Sequence, residues 1–513
     1  MNDTSGAEVF DLDAPAMPEG YFDAIVDDYE SQPAPGDDEE DRARLLTEYG
    51  NACRLIDLFG HDIRRCHALP GDGWLVWDGK RWKVDDSERI VRLIARVPVI
   101  LRADAQKVRE KAKKEDDEDE RKALEKTADA IEAWAKRSES RSTIRAAIDL
   151  ARSDPRVLVK KDKLDGDRWL LNVQNGTIDL RTGRLRPHCR NDLCTRIAPV
   201  EYLPGARSEM WEDFMLRIMQ GNSDMVGFVQ RAIGYSLAGT GREQIFMVCW
   251  GDGSNGKGTL IGTIRKMLGD YAAGTNPETF MAKREGGIPN DVAALDGPRF
   301  VMASETKENK PLDEQVVKGV TGGDDEVLNA RFMRGEWFDF VPQLTAWLLT
   351  NHKPIIKGTD KGIWRRIRLI PFLHDFEADP NKDKGFGAKL AATELEGVLA
   401  WAVRGCMEWQ AGGLQEPEGV IEATNEYRAE MDIVADFIED ELQHGPAAEI
   451  DNTELYETFQ KWCKDNGEFC RAQRWLTRQL KKKGYEQVQR KSKVWIGICK
   501  PIRVAHGVGG GGW

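Results

Sequence analysis

The chain lacks several things that would have decided its class at once. No run approaches the roughly 18 consecutive apolar residues that a membrane-spanning helix needs. The opening Met1-Asn-Asp-Thr-Ser-Gly has neither the basic nor the apolar stretch of a secretory leader. Paired cysteines are missing as well: the nine cysteines lie at 53, 66, 189, 194, 249, 406, 463, 470 and 499 without one C-x-x-C. A zinc finger or a disulfide framework is therefore not expected, and His188-Cys189 with Cys194 reads as ordinary thiols. The expected setting is a reducing compartment, the cytoplasm of a bacterial host, with no membrane partner.

Positive charge is also short, with 74 Lys and Arg against 87 Asp and Glu and a formal net charge of −13. That balance argues against a nucleic-acid partner until it is divided along the chain. Residues 1–44 hold 14 acids and two arginines, so the remaining residues carry only −1. Arg471 to Arg503 holds 11 Lys and Arg against Glu486, a balance of +10. An acidic tail thus conceals a basic C-terminal module.

At 513 residues the chain calls for two to four domains. The acidic, proline-bearing residues 1–44 are expected to lack fixed structure. Residues 45–205 read as a mixed, mainly helical domain. In it, Trp74 to Trp82 forms a hairpin around Asp78-Gly79, helices run from Ile90 to Ala151, and short strands turn at Asn175-Gly176 and Thr182-Gly183. Residues 206–400 read as an α/β ATPase core, 401–440 as a helical connection, 441–506 as a DNA-binding domain and 507–513 as a flexible end.

The core declares itself at Gly251-Asp-Gly-Ser-Asn-Gly-Lys-Gly-Thr259. An apolar run, Ile245 to Trp250, precedes this glycine-rich stretch, and an amphipathic segment, Leu260 to Leu268, follows it. Strand, glycine-rich turn and helix are what a phosphate loop requires. Its residues Gly251, Gly253, Ser254, Asn255, Gly256, Lys257, Gly258 and Thr259 form the candidate ATP site. Backbone N–H groups and the helix N-terminus would face the phosphates, and Lys257 would reach the β- and γ-phosphates. The usual G-x-x-x-x-G-K-[ST] pattern places the Mg²⁺-binding hydroxyl directly after the lysine. Here Gly258 holds that position, and the hydroxyl comes one residue later on Thr259.

Further apolar runs follow at spacings that suit an α/β sheet. Arg299 to Ala303 leads to Ser304-Glu305, and Leu344 to Thr350 leads to Asn351. Glu305 is the candidate acid that orients water and, with Thr259, helps hold Mg²⁺; Asn351 is the candidate sensor of the γ-phosphate. Between them, Glu326 to Phe340 reads as two strands turning at Arg334-Gly335-Glu336. Arg331 and Arg334 near its tip suit contacts to a nucleic-acid backbone, with an ordinary surface hairpin as the plain alternative. Arg365 and Arg366 are candidate arginine fingers for a neighbouring subunit's ATP, with a structural ion pair as the alternative.

In the basic module, Asn452 to Asn466 and Arg471 to Lys483 suit helices, and Tyr485 to Ile498 suits a hairpin with a basic tip. Arg474, Arg478 and Lys481 on the second helix and Arg490, Lys491 and Lys493 on the hairpin are the candidate DNA contacts of a winged helix.

Several phrases taken together resemble a known group. They are Asn255-Gly-Lys-Gly-Thr259, Ala303-Ser-Glu-Thr306, Leu312-Asp-Glu, Lys318, Thr321-Gly-Gly-Asp324, Thr350-Asn-His-Lys-Pro354 and Trp364 to Phe372, with Gly234-Tyr-Ser-Leu237 and Leu171 to Leu180 upstream. The chain resembles phage and plasmid primase-helicases of helicase superfamily 3, related to the poxvirus primase-helicase. The resemblance implies an AAA+-type core, a hexameric ring and ATP-driven translocation along single-stranded DNA. It also implies Lys257 and Thr259 serving phosphates and Mg²⁺, Glu305 as the Walker B acid, Asn351 as sensor and the finger within Arg365-Arg366. No acidic polymerase triad is evident in 45–205, so any primase or polymerase is expected to be a separate partner. The expected function is a replicative helicase of a phage, prophage or plasmid-like element. An ATP-binding initiator and, more remotely, a nucleotide kinase are the rivals.

Overall fold

The computed structural model describes residues 46–282, 290–304, 310–333, 335–356, 361–379, 382–466 and 470–501. They divide into two compact units: one of residues 46–167 with 175–177 and 187–197, the other of 168–174, 178–186 and 198–501.

The first unit is mostly helical. Helices Glu48–Phe59, Arg89–Ile94, Val97–Lys113, Glu118–Ser138 and Arg141–Ala151 enclose a core that includes Leu55, Trp74, Leu101, Trp134 and Ile148. Helical caps follow the sequence: Thr47, Asp117 and Ser140 each accept a backbone N–H of the turn they start. The charged stretch at 111–122 spans the end of one helix, a short connection at 114–117 with Asp117 as cap, and the start of the next helix. The tryptophan hairpin is present as Trp74–Trp77 paired with Trp82–Val84. A third strand, Ile63–Arg65, which its short charged sequence did not announce, pairs with Trp74–Trp77.

The second unit is a mixed α/β assembly built on a parallel sheet of five strands. Their order is Ile367–Pro371, Phe246–Trp250, Thr345–Thr350, Phe300–Ser304 and Ala272–Thr275. Numbered along the chain, that order is 5-1-4-3-2. Alternate residues face opposite sides, so both faces must be covered. Met247, Cys249, Trp347, Leu349 and Ile370 join the core under helices Glu209–Ile218, Ser223–Leu237, Lys257–Leu268 and Leu395–Gly412. Phe246, Val248, Ala346, Leu348, Ile367 and Leu369 join a second core on the other face with Val317, Trp364 and Tyr427. The edge strand Ala272–Thr275, short and glycine-containing, was not foreseen.

Three boundaries differ from the sequence expectation. Leu171, Val173, Ile178, Leu180, Ala198, Val200 and Tyr202 pack into the second unit's core, so this segment belongs there rather than to a domain ending at 205. Helix Leu395–Gly412 is buried along Val398, Trp401, Val403, Cys406 and Trp409, and is thus a core element, not a connection. Helix Ile433–Glu441 packs Val434, Phe437 and Ile438 into the C-terminal core with Leu455, Phe459, Trp462 and Trp495, so that module starts before 441. In all three cases apolar side chains pack into a core across the expected boundary.

Candidate functional site

The sheet's register brings the candidate residues to one edge. Trp250 pairs with Thr350 and Pro371, and Ser304 pairs with Leu349. The loop after Trp250, Asn351 after Thr350 and the end of the strand closing with Ser304 therefore leave the sheet together. Glu305, the candidate acid, lies outside the described residues.

Glycine is needed at two points of the loop. Gly251 has φ +153°, and a Cβ there would sit 2.3 Å from the carbonyl oxygen of Phe372. Gly256 has φ +88° as the residue that starts the helix Lys257–Leu268, and its Cβ would meet Ile218 at 2.5 Å. No L side chain fits either place without moving its neighbours. The loop is also held from the segment after the fifth strand. Asn255 donates to the Phe372 carbonyl (3.1 Å), Phe376 N–H donates to the Ser254 carbonyl (2.9 Å), and Ser254 donates to Glu377 (2.6 Å).

Lys257 is buried and its Nζ donates to the Asp252 carbonyl at 3.0 Å, to the Gly251 carbonyl and to Asn351 Oδ1 at 3.4 Å. The structure thus joins two sequence candidates separated by 94 residues. Burial holds the Lys257 ammonium below its ordinary pKa, partly offset by Cys249 and Asp252 nearby, and burial pushes the Cys249 thiol up to about 12. A cationic group in this setting is under-compensated, which favours an anion.

Gly253, Ser254, Lys257, Gly258, Thr259, Ser304, Asn351 and His352 line an open cleft of about 710 Å³. A Cβ built at Gly258 meets nothing within 4 Å, so that position opens into free space. Next to the cleft, Phe214, Phe376, Phe386, Arg217 and Asp383 line a smaller cavity of about 180 Å³, and Ser254, Gly256 and Thr259 border both. Phe214 packs against Phe386 at 5.2 Å and Phe376 at 6.4 Å, and the Arg217 guanidinium lies 5.2 Å above the Phe376 ring. This aromatic end was missed. Its three phenylalanines come from two regions far apart in the sequence, and nothing in their spacing links them.

The paired arginines separate. Arg366 is buried, with its Nε donating to Thr321 Oγ1 at 3.0 Å and an NH group donating to the Gly362 carbonyl at 2.7 Å. Its side chain is thus bound within its own chain, whereas the sequence left the finger open between the two arginines. Arg365 is exposed and donates to Gln244 at 3.0 Å. Both precede Ile367, which pairs with Phe246 at the start of the loop strand. They therefore lie at the edge opposite the phosphate loop, about 17 Å away along a five-residue strand.

Strands Leu328–Ala330 and Phe338–Phe340 form the expected hairpin, with Arg331 at its tip and Arg334 outside the described residues. In the C-terminal module, helices Ile433–Glu441, Asn452–Asp465 and Gln473–Lys482 pack on an antiparallel sheet. Its strands are ordered Gln443–Asp451, Lys493–Cys499, Gln487–Gln489. Arg474, Arg478 and Lys481 are exposed on one face of the last helix, and among the described residues none forms an ion pair. Arg490, Lys491 and Lys493 are exposed at the hairpin, where Arg490 pairs with Glu449 at 2.6 Å. The first strand of that sheet, containing Pro446, was not foreseen.

Residues 52–220 match the family model described as D5 N terminal like, and residues 429–494 match that described as Poxvirus D5 protein-like. The chain matches a poxvirus D5-like primase-helicase family. The second match begins close to the helix at 433, as the packing does. "Putative helicase L207/L206" of Acanthamoeba polyphaga mimivirus is 27% identical over 436 residues, covering 79% of this chain and 44% of that protein. "Putative primase C962R" of African swine fever virus is 22% identical over 381 residues, covering 67% of this chain and 38% of that protein. The chain thus spans less than half the length of these curated relatives. The apo C-terminal region of NrS-1 aligns with a TM-score of 0.37 at 11% identity, over 62% of this chain and 88% of that one. Among the described residues of the D5-like chain, no helix is long and apolar enough to cross a membrane.

Proposed function

We propose that this D5-like chain is an ATP-driven DNA helicase of superfamily 3, acting in replication of a phage- or plasmid-like element as a ring, most simply a hexamer. The observation that carries the reading is the meeting of Lys257 and Asn351 beneath a phosphate loop at one edge of a 5-1-4-3-2 parallel sheet. That strand order suits an AAA+-type core. The triphosphate would lie along residues 253–259 with Lys257 on its β- and γ-phosphates, and the base would enter the cavity of Phe214, Phe376 and Phe386. Mg²⁺, when bound, supplies neutralisation of phosphate charge. Glu305 and Thr259 are its proposed ligands. Asn351 would orient the attacking water.

Arg365 cannot reach its own chain's nucleotide from the opposite edge of the sheet. It is suited to enter a neighbour's site instead, and this supports an oligomer whose ATP sites lie between subunits. The C-terminal arrangement of three helices and an antiparallel sheet supports a winged helix, with Arg474, Arg478 and Lys481 in the groove and Arg490, Lys491 and Lys493 on the backbone of duplex DNA. A separate primase or polymerase fits as partner.

The test is ATP hydrolysis measured with and without single-stranded DNA. The wild type is expected to hydrolyse ATP, and Lys257→Ala to lose at least 100-fold in turnover while still binding duplex through the C-terminal module. Full turnover in that variant would remove Lys257 from the site.

A further inference from the structure

Asn351 is exposed at the end of its strand, and its contact with Lys257 Nζ spans 3.4 Å. A small shift of the chain after Thr350 would break that contact. Groups from other elements hold this stretch in place. Trp250 and Thr350 are register partners on neighbouring strands, and the Trp250 indole N–H donates to the Asn351 carbonyl at 3.1 Å. The Tyr427 hydroxyl donates to the Pro354 carbonyl. Between them, the Lys353 ammonium meets both carboxylate oxygens of Glu430, at 2.6 and 2.9 Å.

Lys353 is the centre of this arrangement. Its side chain is 13% exposed, and its ammonium lies 4.5 Å from the centre of the Trp250 ring and 5.8 Å from that of Tyr427. A cation so placed gains from the ring faces and still needs an anion, which Glu430 supplies. A second cation for the phosphates is the other role open to a lysine in Asn351-His-Lys-Pro354, and the geometry speaks against it. Asn351 and His352 line the cleft, whereas the Lys353 ammonium is turned to Glu430.

Glu430 is well anchored, yet its own helix does not explain it. Helix Glu418–Glu430 is tied to strand Ile367–Pro371, whose Leu369 N–H donates to Thr424 Oγ1 at 3.0 Å, and Tyr427 packs edge-on against Trp364 at 5.3 Å. An acid as the last residue of a helix faces the negative end of the helix dipole, where a cation is favoured. Helix stability gives no reason for a carboxylate there; the Lys353 ammonium does.

We propose that Glu430 is a positioning residue for ATP hydrolysis: by holding Lys353 on the Trp250 ring, it fixes the backbone that presents Asn351 to the attacking water. This rests on the ATPase reading of the site and deepens it. With a neutral group at 430, the long Lys353 side chain turns its charge to water. The Trp250 ring then loses its cover, and Asn351 its register with Lys257. Glu430 is half-exposed, so the pair contributes little to stability and its loss leaves the fold intact.

The experiment measures kcat and KM for ATP hydrolysis by the full chain, with the urea midpoint of each variant. Glu430→Gln is expected to lower kcat by about 10- to 100-fold, the range for partners that orient reacting groups. KM and the midpoint stay unchanged. Lys353→Arg, which keeps a cation on both ring and carboxylate, should retain most of the turnover. Lys353→Met should lose as much as Glu430→Gln, and the double variant no more than either, because the two act as one unit. Turnover of Glu430→Gln equal to wild type overturns the proposal, and so do losses that multiply in the double variant. A higher KM at unchanged kcat overturns it too, since the pair would then serve binding. So does a midpoint that falls in step with kcat, which would make the pair structural. If the wild type hydrolyses no ATP, the ATPase reading fails instead.

Discussion

Lys257 carries two opposed demands, and pH exposes them. Burial lowers its pKa in the free protein, and a triphosphate beside it would raise that pKa again. Below both values the ammonium is charged in either state and binding takes up no proton. Between the lowered value and the restored one, binding must take up a proton. ATP affinity is therefore expected to fall as pH rises through that alkaline window. Lys257→Arg, which stays charged, should give a flat profile. Calorimetry in buffers of different ionisation enthalpy reads the proton count, and a pH-independent affinity for the wild type would show that Lys257 does not meet the phosphates. The two neighbouring arginines divide in the same way. Arg366→Ala removes a buried, hydrogen-bonded group and should cost on the order of 1–3 kcal/mol of stability, seen as a lower denaturation midpoint. Arg365→Ala should leave the midpoint within experimental error and abolish hydrolysis in the assembled protein. If the two variants exchange these phenotypes, the assignment is reversed.

At the scale of elements, much of the core was legible because several of its strands are short apolar runs. Ile245 to Trp250 and Leu344 to Thr350 could be read directly, and so could the helical stretch from Ile90 to Ala151. The phosphate loop could be read because glycine there answers a steric demand. Long-range packing could not. Gly234 and Gly405 let the helices Ser223–Leu237 and Leu395–Gly412 cross in close contact: a Cβ on Gly234 would lie 2.1 Å from Cys406 N, and one on Gly405 would lie 2.2 Å from the Gln230 carbonyl. The phrase Gly234-Tyr-Ser-Leu237 thus has a packing meaning, to which the Tyr235 hydroxyl donating to the Thr240 carbonyl and Ser236 accepting from Trp347 contribute. Asp324 in Thr321-Gly-Gly-Asp324 likewise ties Arg168 (2.7 Å), Thr240 (3.0 Å) and the Gly241 N–H (2.7 Å). Gly234→Ala is expected to destabilise the fold by at least the roughly 1–3 kcal/mol typical of overpacking. Urea denaturation checks this, and a midpoint equal to wild type would show that the helices separate at no cost.

At the scale of the whole molecule, the separation of Arg365 from the loop carries the argument for assembly. One chain holds the loop, Lys257 and Asn351 at one edge and the exposed arginine at the other, so under the proposed reading a second copy would complete the site. Mixing Lys257→Ala with Arg365→Ala chains should restore part of the hydrolysis that each lacks alone, because some interfaces then receive an intact loop and an intact finger. No recovery at any mixing ratio would argue for sites complete within one subunit. The C-terminal module is a separate contributor: its basic helix and hairpin share a core with helix Ile433–Glu441. A truncation meant to remove the module cleanly must therefore begin before that helix, not at 441. Such a chain should bind duplex DNA at least ten-fold more weakly and retain its basal ATP hydrolysis. The central claim, that ATP hydrolysis is coupled to strand separation, is tested most directly by displacement of a labelled strand from partial duplexes with 3′ or 5′ single-stranded tails, in ATP and Mg²⁺. The account predicts displacement on one tail polarity, dependent on hydrolysable ATP and absent for Lys257→Ala. Displacement that proceeds equally without ATP, or none with either tail while ATP is hydrolysed, would contradict it.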